Sequence, residues 1–307
     1  MMTFAGKCFR ITAAIACLGL LVGCGGGDSA DQGPPITVAN SGNTSTPAED
    51  SAAENTASTG ETGDSTSSSS PSSSGSAPTI SDTGGETVTF KGRVTIDGTR
   101  PELAPLIAQG DPKVKDEVCT ENAVPDDSVR GEGNGLADVF IYVRKLPDDV
   151  DVPPAPTDPV PLDQQGCRFI PQGLFVRVGQ TLLLKNSDPV SHNVRTQSFS
   201  NPINQIVKPN DQEGIPVTYE REERVPIQTR CDIHTWMSAY HLPVDNPWHA
   251  VTAMDGSFEI ADLPPGEWEF TVWHGAKGYI EKSFEFEASA GQTVEQNFSV
   301  PASDLTK

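Results

Sequence analysis

From residue 86 to about 300, apolar side chains come in short runs that alternate with polar ones, and no run sustains the 3.6-residue period of a helix. Side chains on a strand point alternately to its two faces, so this pattern builds sheets with one buried face. The clearest runs are 87–96, 137–143, 174–178, 181–185, 257–260, 268–273 and 282–286. Turn formers such as Asp97-Gly98 and Asp255-Gly256 separate them. An all-β fold follows, and roughly 220 residues of this kind suffice for two sandwiches of ordinary size.

The chain before residue 86 reads differently. Lys7 and Arg10 precede an apolar run at 11–22, which is too short to span a bilayer as a mature helix. The run ends in Leu21-Val22-Gly23-Cys24, the pattern of a lipoprotein signal peptide (residues 1–23) cleaved before a lipidated Cys24. Residues 24–85 are rich in Ser, Thr, Gly and Pro, with no Lys or Arg. Such a segment buries too little surface to offset its ordering entropy, so it is expected to be a disordered tether with a reach on the order of 40 Å. The expected location is outside the cytoplasm, periplasmic or at the cell surface, anchored to the membrane by lipid.

Two sequence neighbourhoods carry chemistry. One is Ser191-His192-Asn193; the other is Cys231-Asp232-Ile233-His234-Thr235-Trp236-Met237. A thiolate, two imidazoles and a thioether are the ligand types of an electron-transfer copper site, with the Met as weak axial ligand. The Cys-x2-His-x2-Met spacing lets one tight loop between two strands turn three side chains toward one point. Zinc is the rival ion, but Met is a poor fourth ligand for it. Cys231 as an inert buried thiol is the plainer alternative.

These residues resemble the cupredoxins, and the short ligand loop is most similar to that of amicyanin-type members. The run at 176–186 is similar to the strand pair before their first ligand, and the resemblance covers residues 158–250. It implies a Greek-key sandwich holding one copper ion, with His192, Cys231 and His234 as equatorial ligands and Met237 as axial ligand. It also implies that Asn193 ties the two ligand loops together, with Asp232 where the family has Ser or Thr. Ile233 would add a backbone N–H near the sulfur where amicyanin-type loops have Pro. The edge of His234, flanked by Trp236, would be the exposed route for the electron. The layout as a whole resembles lipoproteins of a methylamine-utilisation-protein-like family, which carry a His near the position of Gln172.

A second resemblance lies outside this segment. Residues 253–272, with Asp255-Gly256 and Leu263-Pro264-Pro265-Gly266, look like a carboxypeptidase-regulatory or transthyretin-like sandwich, whose early strands match Gly92-x-Val94 and Gly135-x-x-x-Val139. We therefore expect residues 158–250 to be inserted into a sandwich made of 86–157 plus 251–307. The alternative is that 86–150 belongs to an enlarged copper domain.

With Cys8 and Cys17 in the signal peptide, Cys24 lipidated and Cys231 on the metal, Cys119 and Cys167 remain to form a disulfide in an oxidising compartment. The net charge of −21 and pI near 4.5 argue against nucleic-acid binding and suit a basic partner. No nucleophile elbow and no paired His-x-His motif occurs, so the expectation is a carrier, not an enzyme. A redox protein, a cytochrome or a dehydrogenase, is the expected partner. The rival readings are a copper-handling protein without a redox partner, and a surface module that binds carbohydrate or protein.

Overall fold

The computed structural model describes residues 77–306. The signal peptide, Cys24 and most of the tether lie outside the described residues.

Strands follow one another with few interruptions: β1 (Thr79–Asp82), β2 (Val88–Asp97) and β3 (Phe140–Lys145); then β4 (Val160–Gln164), β5 (Phe169–Ile170), β6 (Gly173–Arg177), β7 (Thr181–Asn186), β8 (His192–Thr196) and β9 (Asn204–Val207). There follow β10 (Asp211–Thr218), β11 (Ile227–Arg230), β12 (Ser238–Val244), β13 (His249–Val251), β14 (Ser257–Leu263), β15 (Gly266–His274), β16 (Gly278–Ala288), β17 (Gln292–Glu295) and β18 (Phe298–Pro301). Two short 3₁₀ turns, Glu117–Thr120 and Ala302–Leu305, are the only helical elements among the described residues.

The described residues are all-β, and their sheets sort by sequence. One pair of sheets has the orders β1-β17-β2-β14, with β18 also on β2, and β13-β3-β15-β16. The other pair has the orders β10-β7-β4-β5 and β6-β12-β11-β8-β9. The first pair encloses a core of Val88, Phe90, Ile141, Phe258, Trp268, Phe270 and Phe286. The second encloses Leu162, Phe169, Leu182, Leu184, Val194, Val207 and Tyr219. A smaller cluster of Phe140, Tyr142, Leu242, Val244 and Trp273 joins the two.

Strand β2 shows how the sequence specifies this. Val88, Phe90, Val94 and Ile96 alternate inward, with a break at Gly92. β17 and β18 both pair with β2 in parallel, and the chain passes between them at Gln296. A Cβ on Gly92 would sit 1.7 Å from the Gln296 carbonyl oxygen, so only glycine allows that passage.

Two boundaries differ from the sequence expectation. Order begins before residue 86: β1 pairs with β17 from Thr79 to Asp82. Its four side chains are all exposed, so it has no apolar pattern to read; backbone pairing alone holds it. The stretch between β2 and β3 also divides its loyalties. Val114, Val118 and Cys119 pack into the core of the β4–β12 sheets rather than into the sandwich that contains β2 and β3. That excursion is closed at its base by a bridge between Ile107 and Val124 and by the Gly110 N–H donating to the Thr120 carbonyl.

Candidate metal centre

β8 and β11 are neighbours, with Arg195 opposite Arg230, which brings the start of β8 beside the loop that follows β11. His192 is the first residue of β8; Cys231 follows β11 directly, and Met237 precedes β12. The loop is closed on itself. The Met237 N–H donates to the His234 carbonyl at 2.9 Å, and the Cys231 N–H to the Met237 carbonyl at 3.3 Å.

The result is a convergence of donors. The Nδ1 atoms of His192 and His234 stand 2.8 Å apart. With the Cys231 sulfur they form a group whose ligand atoms all lie within 4.8 Å of one another. All three residues are buried, and Met237, 1% exposed, is buried in the same core cluster as Cys231.

The outer nitrogens of both rings face carboxylates. His192 Nε2 is 2.9 Å from Asp188 Oδ2, and His234 Nε2 is 2.8 Å from Asp116 Oδ2. Asp188 is itself fixed by the N–H groups of Gly166 and Cys167, at 2.7 and 2.8 Å. Burial raises the Asp188 pKa, but the bond to His192 and these two donors outweigh it and hold the carboxyl below its usual range. For His192 burial lowers the pKa, and Asp188 and Cys231 more than compensate, so the ring is shifted upward. For Cys231 burial raises the thiol, yet hydrogen bonds from His192, His234 and the backbone lower it to about 6.

The donor set fits a soft or borderline transition-metal ion. A neutral imidazole carries one N–H and one lone pair; when Nε2–H donates to a carboxylate, the lone pair is on Nδ1. Two such lone pairs and an acidified thiol, aimed at one buried point, need a shared proton or a metal ion among them. That is the local electrostatics of a metal site with its outer supports already built.

The structure brings Asn193 and Asp232 together: the Asn193 amide donates to Asp232 at 3.2 Å, and the Asp232 N–H donates back at 2.6 Å. The Asp232 charge is met by Arg195 at 3.3 Å. Two expectations are corrected. The Cys231 sulfur accepts from the N–H groups of Asn193 (3.5 Å) and His234 (3.3 Å), not from Ile233, because the turn aims the N–H three residues on, while Ile233 is turned out and 47% exposed. The edge of His234 is not exposed: the ring is 3% accessible and covered by Asp116. Trp236 is half-buried, its ring 5.1 Å from His234, its indole N–H donating to the Cys167 carbonyl at 3.1 Å and its remaining face lining a cleft.

Cys119 and Cys167 are bonded to each other. Asp116 and Asp188 are the functional residues that sequence reasoning misses. Asp116 lies 118 residues from the ring it meets, so no spacing rule could find it. His241, His249 and His274 are not among the converging donors, and His274 borders the cleft that Trp236 and Met237 line. His241 is buried between Tyr219 and Thr229, and His249 stacks on Phe175. Gln172 donates to the Phe169 carbonyl at 3.0 Å and borders a cleft of about 300 Å³ beside Trp236 and Met237.

No protein-family model and no curated protein matches the sequence. Solved structures similar to part of the chain include a purple cupredoxin from Nitrosopumilus maritimus, at 18% identity over 28% of this chain and 99% of that one, with a TM-score of 0.24. Amicyanin from Paracoccus versutus is similar at 15% identity over 34% of this chain and 97% of its own, with a TM-score of 0.25. A copper-containing nitrite reductase from Thermus scotoductus is similar at 19% identity over 33% of this chain, with a TM-score of 0.26; the chain spans only 26% of that protein. At such identities and scores the likeness assigns no ligand, and the centre described above stands on its own residues.

Proposed function

We propose that this protein is a mononuclear blue-copper electron carrier, anchored by lipid on Cys24 outside the cytoplasm, with residues 158–250 as a cupredoxin domain set into a transthyretin-like sandwich. The observation that carries the reading is the buried meeting of His192 Nδ1, His234 Nδ1 and the acidified Cys231 thiol. His192, Cys231 and His234 would hold the ion, with Met237 as the weak fourth ligand. Bound there, copper would supply a one-electron Cu(I)/Cu(II) couple. The chain's own part is to keep that geometry unchanged between the two states. Asp188 and Asp116 orient the rings, Asn193 and His234 donate to the sulfur, and the closed 231–237 loop fixes the spacing. With four protein ligands no position is left for a substrate, which supports a carrier over an enzyme. The strand content of 79–97, 140–145 and 249–301 in sheets of their own supports the inserted arrangement. A basic redox protein remains the proposed partner, on the charge of −21.

The cover over His234 favours one rival enough to keep it: a protein that holds copper without passing electrons. The test is the visible spectrum of the copper-loaded full chain, followed by voltammetry. An intense thiolate-to-Cu(II) charge-transfer band, lost in Cys231→Ser, is the expected result. Full copper occupancy without colour would sink the blue-copper reading. Colour without a reversible potential, with copper handed to an acceptor, would favour the copper-handling protein.

A further inference from the structure

We infer that Asp116 is a positioning residue of the metal centre, held in place by the Cys119–Cys167 bridge, so that residues 106–125 form a working part of the site rather than a loop of the neighbouring sandwich. The inference rests on the metal reading above.

The two rings are supported differently. His192 is supported by a carboxylate that is itself buried and held by two backbone N–H groups. His234 is supported by a carboxylate whose side chain is 41% exposed and which has no such backbone donors. What fixes Asp116 is the turn that follows it. The Cys119 N–H donates to the Asp116 carbonyl at 2.9 Å, and Cys119 is bonded to Cys167. Cys167 is also the residue whose N–H holds Asp188 and whose carbonyl takes the Trp236 indole N–H. One covalent bridge therefore connects the supports of both histidines. Removing it would leave the Asp188 support with both backbone donors and its burial, while the Asp116 support would lose its anchor.

Two consequences follow from elementary chemistry. Accepting from Nε2–H, Asp116 selects the tautomer of His234 whose lone pair is on Nδ1, the atom that faces His192 and Cys231. As a second carboxylate beside the centre, it also favours the more highly charged ion, so Cu(II) gains more from it than Cu(I) does.

The test uses the full chain with its disulfide intact and three variants: Asp116→Ala, Asp116→Asn and Asp116→Glu. Affinities for Cu(II) and Cu(I) are measured by chelator competition, and the His234 tautomer in the metal-free protein is read by nitrogen-15 NMR. Asp116→Ala is expected to weaken Cu(II) binding by about 10–100-fold and Cu(I) binding by less. A tenfold fall in the Cu(II)/Cu(I) affinity ratio reads as a potential about 59 mV higher. Asp116→Asn keeps an acceptor without the charge and should fall between Ala and wild type; Asp116→Glu should restore part of the ratio. Replacing both Cys119 and Cys167 by Ser should move the ratio in the same direction as Asp116→Ala. Unchanged Cu(II) affinity in Asp116→Ala overturns the inference. So does an equal loss for both ions with the tautomer unaltered, which would mark simple loosening of the fold. The NMR arm needs no metal, so a wild-type protein that binds copper without colour would end the blue-copper reading while the role of Asp116 is still read from the ring.

Discussion

The two sandwiches solve the problem of an interior in opposite ways. The one built on β2, β14, β15 and β16 is filled with aromatic rings: Phe90 lies 4.9–5.6 Å from Phe258, Phe270, Phe284 and Phe286, and Trp268 meets Trp248 at 5.1 Å. Each such ring contributes on the order of 1.5–3 kcal/mol by leaving water. The sandwich of β4–β12 has mainly aliphatic packing, and within it sit Asp188, Asn193, His192, His234 and His241, all buried. Buried polar groups cost stability unless paired, so that half is held by hydrogen bonds and a disulfide in addition to apolar area. One sandwich is a support; the other gives up packing for pre-aimed donors.

Acid should separate them most strongly. Burial lowers His241 to about 3, and His249 and His274 to about 4, from 6.5. Neighbouring charges play a smaller part in the last two: Arg177 lowers His249 further, while Asp138 opposes the shift in His274. These rings stay neutral in the fold while the unfolded chain takes up protons below 6.5. Stability is therefore fully present above pH 6.5 and is lost as pH falls toward 4, at up to about 1.4 kcal/mol per pH unit for each ring. His241 lies in β12, whereas His249 begins β13 and His274 ends β15, where the aromatic sandwich meets the other. Hydrogen exchange between pH 6.5 and 4 should show β12 and these two strand ends opening before β2; uniform loss would break the contrast.

Phe270→Ala should cost about 3–5 kcal/mol, as a large deletion in a packed core does. It should leave the metal affinity of the folded protein unchanged, measured by denaturant unfolding beside metal titration. Removing the disulfide should cost roughly 2–4 kcal/mol, since it closes a loop with a separation of 48 residues. Here, unlike at Phe270, metal affinity should fall as well. The smallest effect concerns Asp232→Asn. Loss of its charge should raise the potential, but by less than Asp116→Asn does, because Arg195 already offsets that charge at 3.3 Å. Voltammetry of the two variants ranks them, and a larger shift at Asp232 would reverse the assignment.

What could be read from the sequence was what sits close together along it. The alternating runs became strands because each has one buried face, as Val88, Phe90, Val94 and Ile96 do. The 231–237 spacing was legible because one loop carries Cys231, His234 and Met237. β1 was not legible, since its exposed Thr79 and Ser81 leave no alternation to see. Neither was Asp116, whose partner lies across the chain, nor the choice of His234 over Ile233 as donor to sulfur, which depends on how the turn is wound.

The excursion between β2 and β3 has a consequence for modularity. Its residues come from one side of the 158–250 segment in sequence, yet Cys119 is bonded into that segment's interior and Asp116 covers its His234. A gene fusion that moved 158–250 alone to another host would carry Cys167 as an unpaired thiol and His234 with its outer nitrogen bare. The two sandwiches are thus tied as inheritable goods: recombination that separates them breaks the centre, while recombination that moves 77–306 whole keeps it.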